Sequence, residues 1–174
     1  IIHFMSEAKR VVFDLDETLI NIDYFPEELL TLRPGAEELL DSLLAGGLEL
    51  ILWTTATKAH VDKVFNQFPG LRQNFSQVIT REDSPKLLEP LRDEAGRFDR
   101  DDPRRWKFNT LSQGGAGGKY PPAISAQYLV DDAEVTAHTA GILKTFERIS
   151  PNSLESDTVP DEWAKRVAQA LLGE

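Results

Sequence analysis

The chain has 174 residues, enough for one domain with a sizeable core. It carries a formal net charge of -10, has a pI of about 4.8 and contains no cysteine. Nucleic-acid or anionic-membrane binding through bulk charge is therefore disfavoured, and disulfide or thiolate chemistry is excluded.

Met5 reads as the natural start, with residues 1–4 a short extension ahead of it. The apolar run Val11, Val12 and Phe13 reads as a strand covered on both faces. It ends abruptly in Asp14-Leu15-Asp16-Glu17-Thr18. Paired carboxylates on the lip of a buried strand are costly unless something binds between them. In open α/β sheets, ligands bind just beyond the carboxyl ends of such strands. Residues 21–32, with Tyr24, Phe25 and Pro26, read as an aromatic loop that packs on the domain edge or lines the site mouth. Arg33-Pro34-Gly35 opens a helix with Leu39, Leu40, Leu43 and Leu44 on one face, and Gly46 and Gly47 stop it. A second strand over 48–53 ends in Thr54 and Thr55. A helix over 58–68 follows, with Val61, Val64, Phe65 and Phe68 on one face, and then a short strand over 75–80.

From 81 to 118 the pattern breaks down. This segment holds Pro85, Pro90 and Pro103, dense charge over 92–105, and glycines at 114, 115, 117 and 118. It reads as a short helix over 86–92 and then an irregular insertion or small lid, with Trp106 and Phe108 in its own core. Order returns with a strand over 127–130 that ends in Asp131 and Asp132. A helix over 134–140, a strand over 142–149, a polar connector and a helix over 161–172 complete the chain. Trp163, Val167 and Leu171 stand at helical spacing in the last of these. Alternating strands and helices predict a single domain, 1–174, with a central parallel sheet and helices on both faces.

Parallel strands would gather Asp14 and Asp16, Thr54 and Thr55, Lys119, and Asp131 and Asp132 on one edge. Carboxylates without a nearby histidine suit a hard, oxygen-preferring cation such as Mg²⁺. A threonine at a helix N-terminus suits a phosphate oxygen, and a lysine supplies the charge a phosphoryl group needs. One aspartate can then attack phosphorus, and another can protonate the leaving oxygen and later activate water. Thr55 stands as an alternative to Thr54, and Lys107 and Lys86 as alternatives to Lys119. His3, His60 and His138 show no ligand spacing and read as surface or packing residues.

Asp14-Leu15-Asp16-Glu17-Thr18-Leu19, then Thr54, Lys119 and Asp131-Asp132, resemble the four motifs of the haloacid dehalogenase (HAD) superfamily, over about residues 10–146. With Arg33-Pro34-Gly35, Trp53-Thr54 and Arg81-Glu82, the chain is most similar to the small capless phosphatases of the RNA polymerase II C-terminal-tail type. That resemblance implies a Rossmann-like three-layer α/β/α sandwich, capless or with a small lid. It implies Asp14 as nucleophile and Mg²⁺ ligand. Asp16 would be general acid/base, giving the metal its backbone carbonyl. Thr54 and Lys119 would hold phosphate. Asp132 would ligate the metal, with Asp131 contributing through water. Lys119-Tyr120-Pro121 and Asp131-Asp132 stand where the family often has Lys-Asp-Leu and Asp-Asn.

The expectation is a Mg²⁺-dependent phosphomonoester hydrolase with an aspartyl-phosphate intermediate. A phosphoprotein is the leading substrate class, with a small phosphate ester the alternative. A phosphotransferase and a non-catalytic binding module are the rival readings. No nucleic-acid partner is expected. No apolar run approaches the ~20 residues of a membrane span, and nothing near the start resembles a signal peptide. No membrane partner is expected either, and cytoplasm is the expected location.

Overall fold

The computed structural model describes residues 8–112, 118–132, 147–150 and 159–173. In chain order the elements are β1 (Arg10–Phe13), β2 (Ile20–Asp23), β3 (Leu29–Leu32), α1 (Ala36–Ala45), β4 (Glu49–Trp53), α2 (Lys58–Gln67), β5 (Gln77–Ile79), α3 (Ser84–Ala95), α4 (Pro103–Ser112), β6 (Tyr128–Val130), β7 (Glu147–Ile149) and α5 (Glu162–Leu172). The expected helix over 134–140, and Gly114, Gly115 and Gly117, lie outside the described residues.

β1 is the middle strand of a sheet ordered β5-β4-β1-β6-β7. Every pairing in it is parallel, as the alternation of elements predicts. Side chains on a strand point alternately to its two faces. Val11, Phe13, Leu50 and Leu52 accordingly join one cluster with Leu40, Leu43, Val61, Val64, Trp163 and Val167, which puts α1, α2 and α5 on that face. Val12, Ile51, Trp53 and Leu129 join a second cluster with Leu88, Leu91 and Phe108, which puts α3 and α4 on the other. The result is a three-layer α/β/α sandwich. Burying one such aliphatic or aromatic side chain stabilises the fold by about 1.5–3 kcal/mol.

The sheet order also sets where a ligand can sit. From β1 the chain moves outward through β4 to β5, then crosses back to β6 and β7 on the opposite side. The strand order therefore reverses between β1 and β6. At such a switch point the loops leave in opposite directions and open a crevice at the carboxyl ends.

Two stretches differ from the sequence reading. Residues 21–32 are not a loop: β2 and β3 form an antiparallel hairpin with Ile20 opposite Leu32 and Ile22 opposite Leu30. Alternation of Ile20 and Ile22 with Asn21 and Asp23 is the period-2 signal behind it. Tyr24 and Phe25 neither pack on the domain edge nor sit in a core; they are 72% and 86% exposed at the hairpin turn. Lys63 Nζ meets Glu28 Oε1 at 3.0 Å and Gln67 Nε2 donates to the Leu30 carbonyl at 2.9 Å, so the hairpin is moored to α2.

The second difference is the segment expected to be an irregular insertion or lid. Within 81–118 the chain builds α3 and α4, which pack on each other and on the sheet. The prolines misled the reading. Pro85 and Pro103 stand in first turns, where a missing N–H costs nothing. Pro90 does sit inside α3, but on its exposed face, where water can serve the carbonyl it leaves unpaired. Phe108 is core to the whole domain rather than to an insertion, whereas Trp106 is exposed.

α1 starts at Ala36 behind Gly35, whose φ of 85° favours glycine. A Cβ at Gly35 would lie 2.9 Å from the Cβ of Asp161, so glycine also permits α5 to approach. Among the described residues no helix is long and apolar enough to cross a membrane.

Candidate active site

Asp14 follows β1 directly, and its N–H donates to the Val130 carbonyl at 3.0 Å. That bond extends the β1–β6 ladder by one rung and sets Asp14 beside the end of β6. The chain then turns tightly. The Leu15 carbonyl accepts from the N–H groups of Thr18, Leu19 and Ile20. Glu17 adopts a φ of 61°, a left-handed conformation uncommon for a residue with a side chain. The turn brings the Thr18 hydroxyl back to 3.2 Å from Asp14 Oδ2 and 3.4 Å from Asp132 Oδ1.

Asp131 and Asp132 follow β6 in the same way. Lys119 reaches them from the segment ahead of β6. Its Nζ donates to Asp14 Oδ1 at 2.7 Å and to Asp131 Oδ2 at 2.6 Å. Asp14, Lys119 and Asp131 are all buried, and Asp132 is half-buried. Lys119 is thus the lysine that joins the acids. Lys107 is buried on α4 and Lys86 is exposed on α3; among the described residues neither bonds to these carboxylates.

The charge count dominates the electrostatics. One ammonium faces the carboxylates of Asp14, Asp131 and Asp132, whose oxygens lie within 4.8 Å of one another. Burial pushes the Asp14 carboxyl up to about 6; Lys119 opposes this and Asp132 adds to it. Burial pulls the Lys119 ammonium down, but the charges and hydrogen bonds of Asp14 and Asp131 outweigh it and leave it raised. Asp14 moves up chiefly through burial, and Lys119 moves up through the two carboxylates it meets. A cluster of oxygen donors with surplus negative charge fits a hard divalent cation.

Asp16 points elsewhere. It is half-buried, and its Oδ1 lies 2.9 Å from His60 Nε2. His60, expected as a surface or packing residue, is instead the partner of Asp16. It stands in the first turn of α2, just past the end of β4. A histidine soon after a strand end in a β–α unit is the one sequence signal that could have flagged it. Thr18 gave no such signal, because its role depends on the turn that follows Asp14.

Thr54 ends β4. Phe13 pairs with Leu52, so Thr54 stands one residue beyond the rung of Asp14. It is buried, and its Oγ1 accepts the Ala56 N–H at 3.0 Å, leaving its hydroxyl proton free to donate. Thr55 is exposed, and its carbonyl accepts from Arg81 Nε at 2.7 Å. Of the two threonines, Thr54 is the one enclosed by the strand ends.

The sequence family described as NLI interacting factor-like phosphatase matches residues 9–92, which include Asp14, Asp16, Thr54 and His60. No curated protein matches the chain. Among solved structures, a HAD-superfamily hydrolase from Ehrlichia chaffeensis is similar at a TM-score of 0.53 and 13% identity, over 97% of this chain and 99% of that one. An uncharacterized protein from Listeria monocytogenes serotype 4b is similar at a TM-score of 0.51 and 18% identity, over 94% of this chain and 97% of that one. These two likenesses concern the fold. The family match runs from β1 into α3, and over that stretch the chain is similar to the NLI interacting factor-like phosphatases.

Proposed function

We propose that the chain hydrolyses phosphomonoesters with Mg²⁺, through a phosphoryl group carried briefly on Asp14. The observation that carries this reading is the buried junction of Asp14, Lys119 and Asp131 with Asp132 beside it. Asp14, Asp132 and the Asp16 backbone carbonyl would hold the ion, with Asp131 contributing through water. The ion, when bound, supplies the positive charge that lets an anionic ester approach carboxylates.

The protein's own groups divide the remaining work. Lys119 and the Thr54 hydroxyl hold the phosphoryl oxygens, with Thr55 the exposed alternative. A carboxylate oxygen of Asp14 attacks phosphorus. The Asp14 O–P bond forms as the ester P–O bond breaks, and Asp16 gives its proton to the departing oxygen. Asp16 then takes a proton from water. The water oxygen attacks phosphorus, the bond to Asp14 breaks, and inorganic phosphate leaves. One water is consumed and both aspartates return to their starting states.

Phosphoproteins are the proposed substrate class. Only a two-stranded hairpin separates β1 from α1, and α3 and α4 lie on a sheet face. Among the described residues no cap domain stands over the strand ends, which leaves room for a residue on a large chain. The acidic composition favours a protein over a nucleic acid as substrate, and the lack of cysteine is compatible with a cytoplasmic location.

The test is turnover of an aryl phosphate with Mg²⁺, with and without chelator, for wild type, Asp14→Asn and Asp14→Ala. Chelation and either substitution should abolish it. Undiminished turnover in both variants refutes the assignment of Asp14. A panel of phosphopeptides and phosphorylated metabolites then separates the substrate classes, and alcohol acceptors expose any phosphotransfer.

A further inference from the structure

The acids of the site are not held alike. Asp14 is fixed on both oxygens, by Lys119 and by Thr18. Asp131 is tied to Lys119. Asp16 is half-buried, and its neighbour Glu17 has a φ of 61°. Among the described residues, the one side chain that hydrogen-bonds its carboxylate is His60, at 2.9 Å through Nε2. A general acid must reach the leaving oxygen within about 2.6–3.2 Å. A carboxylate on a turn, free to change rotamer, would meet that condition for only part of the time.

We infer that His60 is the positioning residue for the proton-transfer step. Its Nε2–H holds Asp16 Oδ1 and leaves Oδ2 to exchange the proton with the ester oxygen. The inference rests on the reading of Asp16 as general acid/base. His60 is well placed for the task because its own element is rigid. Its backbone N–H donates to the capping Thr57 Oγ1 at 3.3 Å, and Val61 and Val64 of the same helix are in the core. His60 touches neither substrate nor the reacting atoms; it acts through Asp16 alone. A bond serving only surface stability would be indifferent to the ester.

That difference supplies the experiment. Protonation of the leaving oxygen matters greatly for an alkyl phosphate, whose alkoxide is a poor leaving group. It matters little for p-nitrophenyl phosphate, whose phenolate leaves unaided. The ratio kcat/KM covers the steps through departure of that group. In His60→Ala, kcat/KM for a short alkyl phosphate should fall about 10- to 100-fold, part of the ~10²–10⁴-fold usual for proton transfer. For p-nitrophenyl phosphate it should fall only a few-fold. His60→Gln, whose amide nitrogen reaches about as far as Nε2, should restore most of the alkyl-ester rate. Thermal melting of both variants shows that each is folded. Equal losses on the two esters, no loss on either, or no rescue by glutamine overturns the inference. Asp16→Asn run in parallel keeps the two readings apart. If it selectively loses the alkyl ester while His60→Ala does not, the inference falls and the mechanism stands. If Asp16→Asn turns over both esters normally, both fall.

Discussion

At the scale of single residues, the site is a problem of uncompensated charge. Asp14 titrates near 6 because burial and Asp132 outweigh its ion pair with Lys119. Its unfolded-state value lies near 3.8, so its folded-state pKa is the raised one. As pH climbs from about 4 to about 6.5, the unfolded chain gives up this proton first, and the native state loses stability relative to it. Below that window the penalty is absent. Lys119 stays protonated throughout it in both states and so does not contribute to the slope. In chelator, the melting temperature of wild type should therefore fall across this range more than that of Asp14→Asn. Mg²⁺ should raise the wild-type melting temperature at neutral pH, and the gain should shrink as pH drops through about 6, because the ion needs the deprotonated carboxylate. Scanning fluorimetry over pH, with and without Mg²⁺, measures both; identical profiles for wild type and Asp14→Asn count against the raised pKa. At this scale the gathering of Asp14, Lys119, Asp131 and Asp132 was legible in the sequence. Asp14, Asp131 and Asp132 end apolar runs, and a run that stops in acid marks a strand end. His60 and Thr18 were not legible, because their contacts come from a helix crossing and a turn rather than from spacing.

At the scale of elements, periodicity served well wherever an element was amphipathic and unbroken. β1, β4, α1, α2 and α5 stand within a residue or two of their expected bounds. It failed where proline was read as a breaker without regard to position, as in α3 and α4. It failed again over residues 21–32, where aromatic content obscured a short alternation. The α3–α4 pair bears on the site through Phe108. This side chain is buried, stacks on Phe98 at 5.6 Å and meets Tyr120 edge-on at 6.3 Å. Tyr120 follows Lys119 directly, so α4 buttresses the segment that delivers the ammonium. Phe108→Ala should cost about 3–5 kcal/mol, the usual range for an aromatic core truncation. Urea unfolding measures it. A cost below about 1 kcal/mol would mean that α4 is peripheral, as a lid would be.

At the scale of the whole molecule, a site proposed to hold anionic phosphate sits in a chain of net charge -10. The two facts are compatible because they act over different distances. Within the crevice, on the proposed reading, Lys119 and a bound ion would stand beside the phosphoryl group and would dominate. Beyond it, the summed surface charge governs how substrates arrive. That outer field is screened with a Debye length of ~30 Å at 0.01 M salt and ~8 Å near 0.15 M. An acidic surface repels an acidic phosphopeptide and attracts one flanked by lysine and arginine. Between about 0.01 M and 0.15 M salt, kcat/KM should thus rise about three- to tenfold for a phosphopeptide with acidic flanks and fall by a similar factor for one with basic flanks. Steady-state kinetics on a matched pair of peptides, identical at the phosphorylated residue, reads the two slopes. kcat should stay flat for both, since the chemistry takes place inside the crevice. Slopes of the same sign would show that recognition is set by local contacts around the hairpin and strand ends, with the molecule's net charge playing no part in the choice of substrate.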